Sequence, residues 1–136
     1  MRLLITGDRN WKDESSICSV IDMFAEIYPD LEVIHGGANG ADSIAGDLAE
    51  FREIKVLVFR ADWSKYGRAA GPIRNQQMLD EAKPNMVYAF HPDLKNSRGT
   101  LDMVKRARKA NLPVTWVDDK GIGLVNDKLD DYLKTC

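Results

Sequence analysis

Short continuous apolar runs alternate along this chain with longer stretches in which apolar residues recur every three or four positions. Residues 2–6 form a brief apolar run ending at Gly7 and predict a first strand. Ile17, Val20, Ile21, Phe24 and Ile27 then fall at helical spacing, with Asp13, Ser15 and Ser16 as N-cap candidates and Pro29 beyond the end. Residues 31–35 predict a second strand, and Ala41, Ile44, Ala45, Leu48 and Phe51 the apolar face of a second helix. Residues 54–59 form a third strand, and residues 60–71 a long loop. Pro72 fits the first turn of a helix carrying Ile73, Met78, Leu79 and Ala82. A fourth strand spans 85–90. Gly99 opens a helix with Leu101, Val104 and Ala107 inward and Lys105, Arg106, Arg108 and Lys109 largely outward. Residues 113–117 make a fifth strand, and residues 118–136 read as a loop followed by a helix bearing Leu129, Tyr132 and Leu133.

Strands separated by amphipathic helices need crossover connections, and crossovers of one hand place helices on both faces of a parallel sheet. The expected fold is α/β: a Rossmann-like three-layer domain with a parallel sheet of about five strands, occupying residues 1–136 as one unit. Such sheets bind ligands outside the carboxyl ends of their strands, where strand order reverses. The loops of interest are therefore 7–13, 36–42, 60–71 and 91–99.

Composition narrows the function only slightly. At 136 residues the chain suits one core, and a net charge of -2 does not suggest a generic polyanion-binding surface. The opening apolar run is too short for a secretory signal, and no stretch reaches the length of a membrane span, so a cytoplasmic location is expected. Cys18 and Cys136 lie far apart without zinc-ligand spacing, which favours reduced thiols over a disulfide or metal site; no cofactor is expected. His35 and His91 have no Ser or Cys at triad spacing, which disfavours a nucleophilic hydrolase.

Glycine between a strand and a helix allows positive φ and lets a ligand approach outward-pointing amides. Gly36, Gly37 and Gly40 meet that requirement in "HGGANGAD", yet His35 stands where a dinucleotide fingerprint needs its first glycine, and no P-loop ending follows. Spacing alone fits an anion cradle and a merely tight turn equally. Gly99 and Thr100 repeat the pattern at the fourth loop, with Thr100 either gripping phosphate or serving as an N-cap. Between them, Trp63 and Tyr66 accompany Lys65, Arg68 and Arg74. The aromatic rings suit base stacking or core packing, and the guanidinium groups suit phosphate. Arg74, placed in the first turn of its predicted helix, opposes the macrodipole and so points to a ligand. Gly7, Asp8 and Arg9 sit at the same end, and Asp42 is read as either a helix cap or a partner for a ribose hydroxyl.

With these residues assembled, the chain resembles the YspA-like branch of the SLOG superfamily, the Rossmann-like group that includes the LOG phosphoribohydrolases and the DprA/Smf DNA-processing proteins. The likeness rests on "TGDRNW", "HGGANGAD", "ADWSKYGRAAGPIRNQQML" and "GTLDMVKRARKANLPV", each after its own strand. It implies a pocket for a nucleotide or nucleotide-derived ligand, with Gly36, Gly37, Gly40, Gly99 and Thr100 as phosphate-binding loops, and a sensor or scavenger role in nucleotide signalling and phage-host conflict. Arg74 resembles the Arg of LOG enzymes, whereas their Glu position holds Met103, which argues against LOG-type hydrolysis. The alternatives are a nucleoside monophosphate N-glycosidic hydrolase using Arg74 with Asp8 or Asp42, and DprA-like single-stranded nucleic-acid binding through Lys105, Arg106, Arg108 and Lys109. A homodimer or larger homo-oligomer is expected from the resemblance; nucleic acid is disfavoured as a partner, and no membrane association is expected.

Overall fold

Side chains alternate across a strand, and that alternation divides the core in two. In the computed structural model, which describes residues 1–134, Leu3 and Ile5 of β1 (Arg2–Gly7) face one layer while Leu4 faces the other; Val33 and Ile34 of β2 (Glu32–His35) divide the same way. The first layer holds α1 (Glu14–Ile27) and α2 (Ala41–Phe51), through Ile17, Ile21, Phe24, Ala41, Ala45 and Ala49. The second holds α4 (Ala70–Gln77), α5 (Gly99–Lys109) and α6 (Asn126–Lys134), with Met103, Val104, Ala107 and Leu129 buried. Between them lies a six-stranded sheet of order β3-β2-β1-β4-β5-β6, completed by β3 (Lys55–Val58), β4 (Met86–Phe90), β5 (Val114–Val117) and β6 (Gly123–Val125). The first five strands in that order are parallel, as in doubly wound nucleotide-binding folds, and the order reverses between β1 and β4.

The architecture departs from the sequence reading in three places. β6 pairs antiparallel with β5 where a loop was expected. The reversal is made by Asp118, whose carboxylate accepts from the amides of Lys120 and Ile122, and by Gly121 at φ 78. Three strand residues are too few to show alternation. The long loop is partly helical: Asp62 caps the short α3 (Trp63–Tyr66) by accepting from the Lys65 amide, and a 3-10 turn (Gly67–Ala69) leads into α4. Finally, α4 begins at Ala70, two residues before Pro72, and passes into a π turn (Met78–Ala82) that ends at Lys83 with φ 49. Arg74 therefore sits in the last turn of α4, and the dipole argument for a ligand at Arg74 does not hold.

The expected terminal helix is present as α6, joined to α5 by the Arg108 guanidinium, which donates to both Asp130 oxygens at 2.9 and 2.7 Å. Cys18 is a half-buried free thiol on α1, and Cys136 lies outside the described residues. Among the described residues no helix is long and apolar enough to cross a membrane.

Candidate functional site

Parallel strands bring the loops after β1, β2, β3 and β4 to one edge of the sheet. The loop after β1 is anchored there by the Asp8 amide, which donates to the Phe90 carbonyl at 2.8 Å, and by the Asp8 carbonyl, which accepts from the Ala41 amide at 3.1 Å. This packing leaves no room for side chains at two of the predicted glycines. A Cβ on Gly7 would collide with the Phe90 carbonyl and the Ala41 methyl, and one on Gly40, at φ 74, would strike the Asp8 and Arg9 backbone. Local packing therefore accounts for Gly7 and Gly40 without a ligand. Asp8 also accepts from the Asn10 amide at 3.1 Å, whereas the Arg9 side chain is exposed.

In the loop between β2 and α2, the amides that a phosphate cradle would use at Gly36 and Gly37 have partners within the chain. The Gly36 and Ala38 amides donate to one oxygen of Asp42, at 3.0 and 3.3 Å, and the Gly37 amide donates to Nδ1 of His35 at 2.9 Å. Asp42, only 5% exposed, is thus not the N-cap of α2, which is Gly40, and one of its two oxygens is taken by these amides. Burial raises the Asp42 carboxyl to about 6, against the opposing pull of the two amides and the Arg74 charge. Burial also lowers His35 to about 4, with the Arg60 and Arg74 charges adding to the effect. Acceptance at Nδ1 requires that nitrogen to be unprotonated, so the ring is neutral.

Arg74 and Asn75 connect this loop to α5. The Arg74 guanidinium donates to the Gly36 carbonyl and, at 3.4 Å, to the Phe59 carbonyl; its Nε donates to Asn75 Oδ1 at 3.1 Å. Asn75, 3% exposed, turns its amide nitrogen to the Gly99 carbonyl at 3.2 Å and to Asp102 at 3.0 Å. The sequence reading missed Asn75. Its signal was a polar residue on the buried stripe of α4, in step with Gly71, Met78 and Leu79. Arg60, also missed, donates to the Gly37 carbonyl at 3.1 Å and lies over that glycine where a side chain would otherwise project.

At the start of α5, Ser97 rather than Thr100 supplies the cap: its hydroxyl accepts from the Leu101 amide at 2.9 Å. Gly99 is exposed and faces open space. Thr100 is 5% exposed, and its hydroxyl has no hydrogen-bond partner among the described residues. Met103 is fully buried in the core, so a carboxylate at that position would be desolvated. The neighbouring Asp102 is held by Asn75 and by Arg106 Nε at 2.9 Å.

The remaining predicted residues lie on the rim or are spoken for. Trp63 is 59% exposed, which removes the core-packing reading, and Tyr66 and Arg68 are exposed beside it. The basic stripe of α5 is half neutralised: Arg106 pairs with Asp102 and Arg108 with Asp130, leaving Lys105 and Lys109 exposed. Among the described residues no three His, Cys, Asp or Glu side chains are grouped to hold a metal ion.

These features can be set beside known proteins. The sequence model of the YspA, cpYpsA-related SLOG family matches residues 1–66, a stretch running from β1 through α3. The "Gene 61 protein" of Mycobacterium phage D29 is 38% identical over 125 residues, covering 88% of this chain and 98% of that protein. DNA processing protein A (DprA) from Streptococcus pneumoniae matches in structure with a TM-score of 0.71 at 16% identity, over 98% of this chain and 56% of DprA. The chain thus spans little more than half of DprA, and that likeness is one of fold. By its sequence over nearly the whole length of the phage protein, its matching family segment and its sheet order, the chain belongs to the YspA, cpYpsA-related SLOG family.

Proposed function

We propose that the protein binds a nucleotide or nucleotide-derived ligand at the carboxyl edge of the sheet, with a phosphate on the N-terminus of α5. The observation that carries this reading is Thr100, a 5% exposed residue in the first turn of α5 whose hydroxyl makes no hydrogen bond among the described residues and is therefore left to solvent or a ligand. A hydroxyl left open on an otherwise covered residue can donate to an incoming oxygen, and the first amides of a helix favour an anion. Gly99 leaves space for the approach of a phosphate. The loop holding Gly36, Gly37, Gly40 and Asp42 lies at the same edge of the sheet, and Arg9, Arg68 and Trp63 are exposed in the segments that follow β1 and β3. The role is that of a sensor or scavenger, and its oligomeric state is a homodimer or larger. The engagement of Arg106 and Arg108 in ion pairs weighs against a single-stranded nucleic-acid groove along α5.

Calorimetry against AMP, cyclic nucleotides, ADP-ribose and NAD tests the reading. Binding of at least one of them is expected, with Thr100→Val weakening it about tenfold, the value of one hydrogen bond to a charged group, and Thr100→Ser restoring most of the loss. The ligand is expected to be recovered intact by chromatography. Absence of binding to folded protein rejects the proposal, and release of free base would replace it with N-glycosidic hydrolysis.

A further inference from the structure

Three of the longer helices, α1, α2 and α5, begin at the carboxyl edge, and their first turns differ in what already occupies them. At α1, the Asp13 carboxylate accepts from the amides of Ser15 and Ser16, at 3.1 and 3.4 Å. Ahead of α2, the Asp42 carboxylate accepts from the amides of Gly36 and Ala38. Two converging backbone amides are the arrangement that holds a phosphate oxygen in anion-binding loops. At α5 the cap is a neutral hydroxyl, Ser97, and the acidic residue of its first turn, Asp102, is turned to Asn75 and Arg106.

We propose that Asp42 is a built-in anion that fills the glycine loop after β2 and thereby restricts the crevice to ligands presenting a single phosphate. This rests on the reading of α5 as the phosphate site. The two loops are close because consecutive residues of α4 grip them: Arg74 holds the Gly36 carbonyl and Asn75 the Gly99 carbonyl. A second phosphate extending from α5 toward the glycine loop would find the Gly36 and Ala38 amides taken and a carboxylate in place of a donor. Arg74, the cation beside Asp42, gives its Nη1 to the Gly36 and Phe59 carbonyls and its Nε to Asn75, which leaves only Nη2 for an incoming group. At neutral pH Asp42 is ionised, its carboxyl titrating at about 6, so a second phosphate meets like charge in a desolvated setting.

Calorimetry at pH 7.5 with AMP and ADP-ribose tests the proposal on the intact chain. The wild-type protein is expected to bind AMP at least about tenfold more tightly than ADP-ribose, and Asp42→Asn to narrow that ratio to about threefold or less through tighter ADP-ribose binding. Asp42→Ser, which keeps an acceptor for the two amides, takes the place of the Asn variant if the latter does not fold. Equal binding of the two ligands by wild-type protein overturns the proposal while leaving the α5 site standing. A narrowing caused by weaker AMP binding also overturns it. Failure of folded wild-type protein to bind either ligand removes this proposal, and removes the α5 reading with it when cyclic nucleotides and NAD also fail to bind.

Discussion

Replacing Gly40 by alanine is expected to destabilise the protein by on the order of 3 kcal/mol or more, read as a lower denaturant midpoint at unchanged slope. Two effects add. At φ 74 and ψ -124 the backbone is in a region that L side chains rarely adopt. The new methyl would also land on the carbonyl groups of Asp8 and Arg9. Those atoms are main chain and cannot rotate away, because the Asp8 amide is bonded to Phe90 and the Asp8 carbonyl to the Ala41 amide. Gly99→Ala is the control: nothing lies near the added methyl and the residue is helical, so stability is expected to stay within about 0.5 kcal/mol of wild type. Equal losses for the two variants would show that the tight approach at Gly40 is unimportant.

The second large effect is a pH dependence that single substitutions unmask. Asp42 titrates at about 6 in the fold against an ordinary value of 3.8. Its folded-state pKa is raised, so its contribution favours folding below 3.8 and is lost as pH rises through 6. Complete ionisation in the buried site costs about 3 kcal/mol. His35 runs in the opposite sense. Its folded value of about 4 lies below the ordinary 6.5, so its contribution is present above 6.5 and is lost as pH falls through 4, again by about 3 kcal/mol. Between pH 4 and 6.5 the two largely cancel.

Asp42→Asn is therefore expected to lose about 2–3 kcal/mol of stability on acidification from pH 6.5 to 4.5, and His35→Asn, whose side-chain oxygen can accept from the Gly37 amide, to gain stability over the same range. Burial lowers His91 as well, in the same direction as His35; it is common to all three proteins and drops out of the differences between them. Denaturant midpoints across the range check the prediction, and parallel profiles for wild type and the two variants would refute it.

How much of this was legible beforehand varies by element. The helical spacing of Ile17, Ile21 and Phe24, and the apolar runs of β1, β2 and β4, placed the helices and parallel strands, since each buries a face through local repetition. β6 and the start of α4 were not legible: three strand residues carry no period, and Ala70 and Gly71 before a proline look like loop. At the site, the glycine loops were found at the correct strand ends, but the use of their amides was not. Nothing in "HGGANGAD" shows that Asp42 turns back onto Gly36, or that Arg74, 38 residues from Gly36, rests on its carbonyl. Arg106 and Arg108 looked like an outward basic stripe; Asp102, one turn back on the same helix, was a partner the i,i+4 spacing offered, whereas Gln76 and Asp130 came against them only through packing.

Sequence by itself determined the Rossmann-like order of elements and the edge of the sheet that carries the glycine loops, because burial periodicity and turn residues act over a few positions. Only the tertiary structure decided which amides, hydroxyls and charges remain open at that edge. Partners such as Arg74 for Gly36, Asn75 for Gly99 and Asp130 for Arg108 come from segments that meet only in the fold, and no local pattern records which segments those will be.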